Sequence, residues 1–145
     1  MAGETTDSRD EEARELSETL ARFFELSPDF LCVTGLDGYF KRVNPTFARV
    51  LGFAVEEFLS RPFFQFIHPE DRERTLERYE RAKRGEGREE GYFINRFRRK
   101  DGSYRRLHWY CRVERRRGLI YGFGRDITGQ SEAGVPLRPE WGAQD

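Results

Sequence analysis

The chain has 145 residues, 26 of them basic and 26 acidic, with 37% hydrophobic residues and 13 Phe, enough for one domain with short extensions and a single core rich in rings. The zero formal net charge lacks the basic excess of a dedicated nucleic-acid binder. No apolar run approaches the roughly 20 residues of a membrane-spanning helix, and the acidic start lacks the basic and apolar regions of a signal peptide, so a soluble, cytoplasmic protein is expected.

The balanced charge hides a segregation. Residues 1–20 carry seven acidic side chains against Arg9 and Arg14, whereas residues 96–117 carry ten basic ones against Asp101 and Glu114. Ser8 with Glu11 has the pattern of a capping box, and the spacing that follows predicts a helix from Ser8 to about Leu26. Ala13, Leu16, Leu20 and Phe23 recur at helical intervals, a narrow apolar seam suited to docking on a sheet or pairing with its own copy. Pro28 closes this segment. Residues 30–34 and 39–43, either side of Asp37-Gly38, predict a hairpin. Asn44 and Pro45 then read as the cap and first turn of a helix carrying Phe47, Val50 and Leu51 inward. After Gly52, a second short helix carries Val55, Phe58 and Leu59, and the aromatic run 63–67 is expected to pack over the sheet.

Pro69 opens the longest central helix, with Leu76 and Tyr79 inward, ending near Gly85. Residues 92–100 and 103–113 flank Asp101-Gly102, read as a two-residue hairpin turn with positive φ, and residues 119–127 form a last strand after Arg117-Gly118. Along 103–113 the pattern alternates: Leu107, Trp109, Cys111 and Val113 on one face, Tyr104, Arg106, His108 and Tyr110 on the other. Residues 129–145 are rich in Gly, Pro and polar residues, with Leu137 and Trp141 as the large apolar ones, and read as a flexible tail or linker stub. The organisation is thus a flanking amphipathic helix (1–23), a domain (24–128) and a tail (129–145).

Several segments stand in an order that resembles the PAS sensory domain over about residues 24–128: Ser27-Pro28-Asp29, Asp37-Gly38, Val43-Asn44-Pro45, Leu51-Gly52-Phe53, His68-Pro69-Glu70-Asp71, residues 99–105 (Arg-Lys-Asp-Gly-Ser-Tyr-Arg) and Asp126-Ile127-Thr128. The resemblance implies an α+β fold: a five-stranded antiparallel sheet, short helices on one face and the N-terminal helix on or near the other. It also implies a sensory or protein-interaction module, without catalysis of its own, that regulates a histidine kinase or similar effector in a bacterial two-component system. Such a module is expected to form a homodimer, with Ala13, Leu16, Leu20 and Phe23 as the candidate interface.

The resemblance further implies a ligand pocket between sheet and helices, for which Phe47, Phe58, Phe64, Phe93, Asn95, Phe97, Trp109 and Cys111 are candidates. Asn95 is a polar group on an apolar face, so it either satisfies local groups or meets a ligand. Asp126 and Thr128 stand where the family passes its signal onward; a capping turn without regulatory content is the alternative. Cofactors are not expected. The 63–67 segment has no Cys for a covalent flavin adduct, residues 69–84 have no His for haem, and Cys32 and Cys111 lie in strands; non-covalent flavin and an unidentified small molecule stay open. His68 and His108 with two cysteines have no metal-ligand spacing, and no metal is expected. The rival reading is an RNA or single-stranded nucleic-acid binder stacking bases on Tyr104 and Tyr110 among Arg residues; the strand–helix order and the lack of an RNP-like motif count against it. An enzyme finds no nucleophile–base pair or phosphate loop.

Purified protein supplied with flavin and haem during expression is predicted to show no visible absorbance band. A band that scales with protein concentration would overturn that expectation.

Overall fold

Alternating apolar residues in the second half of the chain form long strands, and a run of short helices falls between the two hairpin regions. The computed structural model describes residues 2–131 together with 140 and 141, and of residues 2–5 the backbone alone. The described residues form α1 (Ala2–Leu26), β1 (Phe30–Gly35), β2 (Phe40–Val43), α2 (Pro45–Leu51), α3 (Val55–Leu59), α4 (Pro69–Lys83), β3 (Glu90–Arg98), β4 (Tyr104–Glu114) and β5 (Leu119–Asp126). Single 3-10 turns lie at Phe63–Phe66 and Arg115–Arg117. The strands make one antiparallel sheet in the order β2-β1-β5-β4-β3. This is the α+β architecture expected from the sequence.

One face of the sheet and the helices enclose the core. Leu107, Trp109, Cys111 and Val113 of β4 are buried, as their alternation requires, and Phe30 and Cys32 of β1 join them. Phe40, Phe47, Phe53, Phe58, Phe63 and Phe66 form a cluster of mostly edge-on rings at centroid separations of 4.8–6.4 Å, the geometry aromatic quadrupoles favour.

Two polar knots tie the helices to the sheet. Asn44 precedes α2 but does not cap it with its side chain. Its wholly buried amide instead accepts from Leu31 N (3.0 Å) and donates to Asp29 O (2.9 Å), fastening the start of β1. His68 does cap α4, its Nδ1 accepting from Glu70 N at 3.1 Å. One turn on, the buried Asp71 carboxylate accepts from the backbone N–H of Arg96 at 2.8 Å and from its guanidinium at 2.9 and 3.0 Å, joining α4 to β3. Burial alone would raise the Asp71 carboxyl, but the Arg96 bonds and the Arg96 and Arg74 charges hold it below the usual carboxylate range.

Two local expectations are corrected. α1 starts at Ala2 rather than Ser8; Ser8 and Glu11 lie inside it, because the acidic residues there support helix as well as a helix start. The β3–β4 connection is not a two-residue turn with positive φ at both positions. Only Gly102 has positive φ (90°); Gly102 N donates to Arg99 O (2.9 Å) and Arg99 N to Ser103 O (2.7 Å), a three-residue loop closed by a left-handed glycine. Of the two partners open to the α1 seam, its own sheet does not cover it among the described residues. Ala13 is exposed, and Leu16, Leu20 and Phe23 are 59%, 58% and 71% exposed.

Trp109→Ala is predicted to cost about 3–5 kcal/mol, as for a large buried aromatic, and Arg106→Ala on the opposite face far less. Equal loss in denaturant melts would put the β4 alternation out of register.

Candidate functional site

Register places the inward residues of four strands in rows across the sheet. One row runs Phe30, Gly124, Trp109, Phe93; the next runs Cys32, Gly122, Cys111, Gly91. The second row holds nothing larger than a thiol, so the helices above cannot close fully onto it. A cavity of ≈ 50 Å³ results, with Thr75 and Tyr79 of α4 among its lining residues and Trp141 at one side. That is roughly three or four water-sized spheres.

The first row supplies the wall. The Trp109 ring lies where a side chain on Gly124 would be: a methyl there would come within 2.8 Å of the indole. Trp109 Nε1 donates to Asn95 Oδ1 at 2.9 Å, and Asn95 Nδ2 donates to Thr75 Oγ1 at 3.3 Å. The buried amide of Asn95 therefore bridges β4 to α4 through local side chains. Tyr79 donates its hydroxyl to Gly35 O (3.2 Å), and burial pushes its pKa up to about 12. Burial likewise pushes the Cys32 thiol up to about 12 and the Cys111 thiol well above its usual value, so both sulfurs present neutral S–H groups to the cavity.

Five of the eight candidate pocket residues line the cavity: Phe93, Asn95, Phe97, Trp109 and Cys111. Phe47, Phe58 and Phe64 do not. Phe47 and Phe58 are wholly buried in the ring cluster beneath α2 and α3, and Phe64 is partly buried against Phe63. The cavity lies instead under α4, toward β3. The residues missed by sequence reasoning include Cys32, Thr75 and Tyr79, and above all Trp141. The tail was expected to leave the domain, yet Trp141 is 3% exposed and its N–H donates to Tyr92 O at 3.0 Å. Leu137 lies outside the described residues.

At the far end of β5, Asp126 and Thr128 are joined. Thr128 N donates to Asp126 Oδ1 (2.9 Å), Arg105 Nε to Asp126 Oδ2 (2.8 Å), and Arg106 N to Thr128 Oγ1 (2.9 Å). Burial would raise the Asp126 carboxyl; the Thr128 hydroxyl, the Arg105 guanidinium and the Thr128 N–H hold it below the usual range. Arg125 turns away and pairs with Asp29 at 3.2 Å.

The outer sheet face carries a second row of rings. Tyr92, Tyr110 and Phe123 are register neighbours on β3, β4 and β5, with centroids 5.0 and 5.8 Å apart. Phe123 is 47% exposed.

A family model described as PAS fold matches residues 40–120, more than half of the chain. The chain is similar to the PAS domain of an HTR-like protein from Haloarcula marismortui, at 27% identity over 83% of this chain and 99% of that one, with a TM-score of 0.68. It is also similar in fold to a PAS domain from Colwellia psychrerythraea (21% identity, 79% and 99% covered, TM-score 0.68). A domain of a sensory box sensor histidine kinase/response regulator from Geobacter sulfurreducens gives 20% identity, 77% and 94% coverage and a TM-score of 0.66. No curated protein matches the chain.

Because the folded Asp126 carboxyl titrates below its unfolded value of about 3.9, it stabilises the fold fully above that value and ceases to as pH falls through its depressed pKa. Asp126→Asn is predicted to lose about 1 kcal/mol at neutral pH, with the gap to wild type closing below about pH 4. A gap in denaturant melts that is constant with pH would contradict the pairing.

Proposed function

The chain belongs to the PAS fold family, and on that premise we propose that it is a cytoplasmic sensory and protein-interaction module of signal transduction. It works as a homodimer, without catalysis of its own, and regulates a histidine kinase or similar effector through its flanking segments. The observation that carries this reading is the seam of α1. Leu16, Leu20, Phe23 and Leu26 are each more than half exposed, an apolar stripe that an isolated chain leaves in water.

The occupant we assign to that stripe is a second copy. Glu11, Glu12, Glu15 and Glu18 give α1 an acidic character, and the outer face of the sheet offers Tyr110 and Phe123 with Arg112 and Arg125 around them. Apolar seam meets ring row, and acid meets base. In this arrangement a change in the cavity alters the packing of β4 and β5, which bear the partner's helix on one face and the cavity on the other. The same strands end at Asp126 and Thr128, so the movement also reaches the chain that follows.

Deleting residues 1–22 is predicted to lower the mass in light scattering from dimer to monomer and to raise the exposure of Tyr104, His108 and Tyr110. Leu16→Glu combined with Leu20→Glu is expected to do the same without removing the acidic charge. Full-length protein that is monomeric at high concentration, with a deletion that changes neither mass nor melting temperature, would overturn the dimer. Salt-dependent RNA binding by the intact chain would favour the nucleic-acid reading instead.

A further inference from the structure

Gly91 sits within β3 with a φ outside the left-handed region, so the strand itself does not need a glycine there. What needs it is Trp141. A methyl at Gly91 would stand 2.4 Å from Trp141 N, 2.5 Å from its Cα and 2.6 Å from the carbonyl carbon of Glu140, all of them backbone atoms that a flexible side chain could not relieve. β3 is an edge strand. Along that edge Glu140 pairs with Tyr92 in a parallel bridge, and Trp141 N donates to Tyr92 O at 3.0 Å. Arg78 of α4 holds the Glu140 carboxylate at 2.8 Å. The indole stacks on Phe93, centroids 5.5 Å apart and planes 24° from parallel, and lines the same cavity as Asn95, Trp109 and Cys111.

The hold is incomplete. Among the described residues the buried Nε1–H of Trp141 has no acceptor, a penalty that a ring free to turn its donor elsewhere escapes. Among the same residues, the Trp141 N–H to Tyr92 O hydrogen bond of the bridge, an ion pair whose Glu140 side chain is 44% exposed and the ring stacked on Phe93 fasten Glu140-Trp141.

We propose that Glu140-Trp141 is a displaceable plug, and that the seat it fills on Phe93, beside the cavity, accepts a free planar aromatic molecule of the size of indole once the plug leaves. The ligand takes the place of the Trp141 ring, extends into the space over the Cys32, Gly122, Cys111, Gly91 row, and frees Glu140-Trp141 from the edge of β3. The seat rests on its own geometry; the use of the freed Glu140-Trp141 as an output rests on the sensory role proposed above.

The test uses the full chain carrying 5-fluorotryptophan at its two tryptophans, Trp109 and Trp141, with indole as the probe. Trp141→Ala assigns the two fluorine resonances. Gly91→Ala is expected to expel the plug by contact and move the Trp141 resonance to its solvent-exposed position while Trp109 keeps its shift. Indole is expected to produce the same Trp141 movement in the wild-type chain. It should bind Gly91→Ala and Trp141→Ala at least tenfold more tightly than wild type, read as the midpoint of an indole titration. The plug is overturned if the Trp141 resonance stays put in Gly91→Ala, or if indole binds all three proteins alike or none of them. Should Gly91→Ala fail to fold by circular dichroism, Trp141→Ala decides by the same titration. A sound plug in a chain that remains monomeric would sink the dimeric signalling role and leave the seat standing.

Discussion

Four neighbouring strands place Cys32, Gly122, Cys111 and Gly91 side by side on the inner face, and no side chain in that row is larger than a thiol. Everything distinctive about the core follows from this shortage of volume. Protein interiors are close-packed, and a row of small residues must be compensated or left as a void. Here it is compensated from both ends. Trp109 leans toward the row, 3.3 Å from where a Gly122 methyl would stand, and Trp141 covers Gly91. What they do not fill is the cavity. The same two glycines of β5 that make room for Trp109 also fix its indole N–H on Asn95, and through Asn95 on Thr75 of α4. A void, a wall and a link to the long helix thus share one cause.

The strands, the short helices and their inward faces could be read from the chain because they depend on local period and turn chemistry. Leu107, Trp109, Cys111 and Val113 alternate in the sequence and are buried in the fold. The cavity could not be read so far, because it depends on which residues of different strands become neighbours. Phe47 and Phe58 have the same inward apolar pattern as Phe93 and Phe97, and only register and helix placement separate filled core from cavity wall. Cys32 and Cys111, taken one by one, are ordinary small strand residues; opposite Gly122 they become its floor. Trp141 was hidden for a related reason. Its segment has the composition of a linker, and its burial is decided by the missing Cβ of Gly91, 50 positions earlier in the chain. The start of α1 escaped because acidic residues and a Ser-x-x-Glu pattern are as compatible with a helix interior as with its first turn.

The two faces of β4 and β5 divide the work. Inward they hold the cavity, and outward they carry Tyr110 and Phe123, the rings proposed to receive the partner's α1. Neighbouring residues of one strand therefore answer to different partners, and a shift of the strand is felt on both sides. Charge follows the same division: basic side chains concentrate on residues 96–117, acidic ones on α1. The zero net charge conceals this polarity, which is the physical basis on which self-association is proposed over nucleic-acid binding.

The central claim is that the row of small residues leaves an apolar void bounded by Trp109 and Trp141. Xenon enters such voids and perturbs the nuclei around them, so xenon titration followed by backbone NMR tests it most directly. The account predicts saturable shifts confined to residues around the cavity, Cys32, Cys111, Ile120 and Gly122 among them, and their loss in Cys111→Leu, whose larger side chain fills the space. Shifts that grow linearly and scatter over the surface, or that survive Cys111→Leu unchanged, would contradict it.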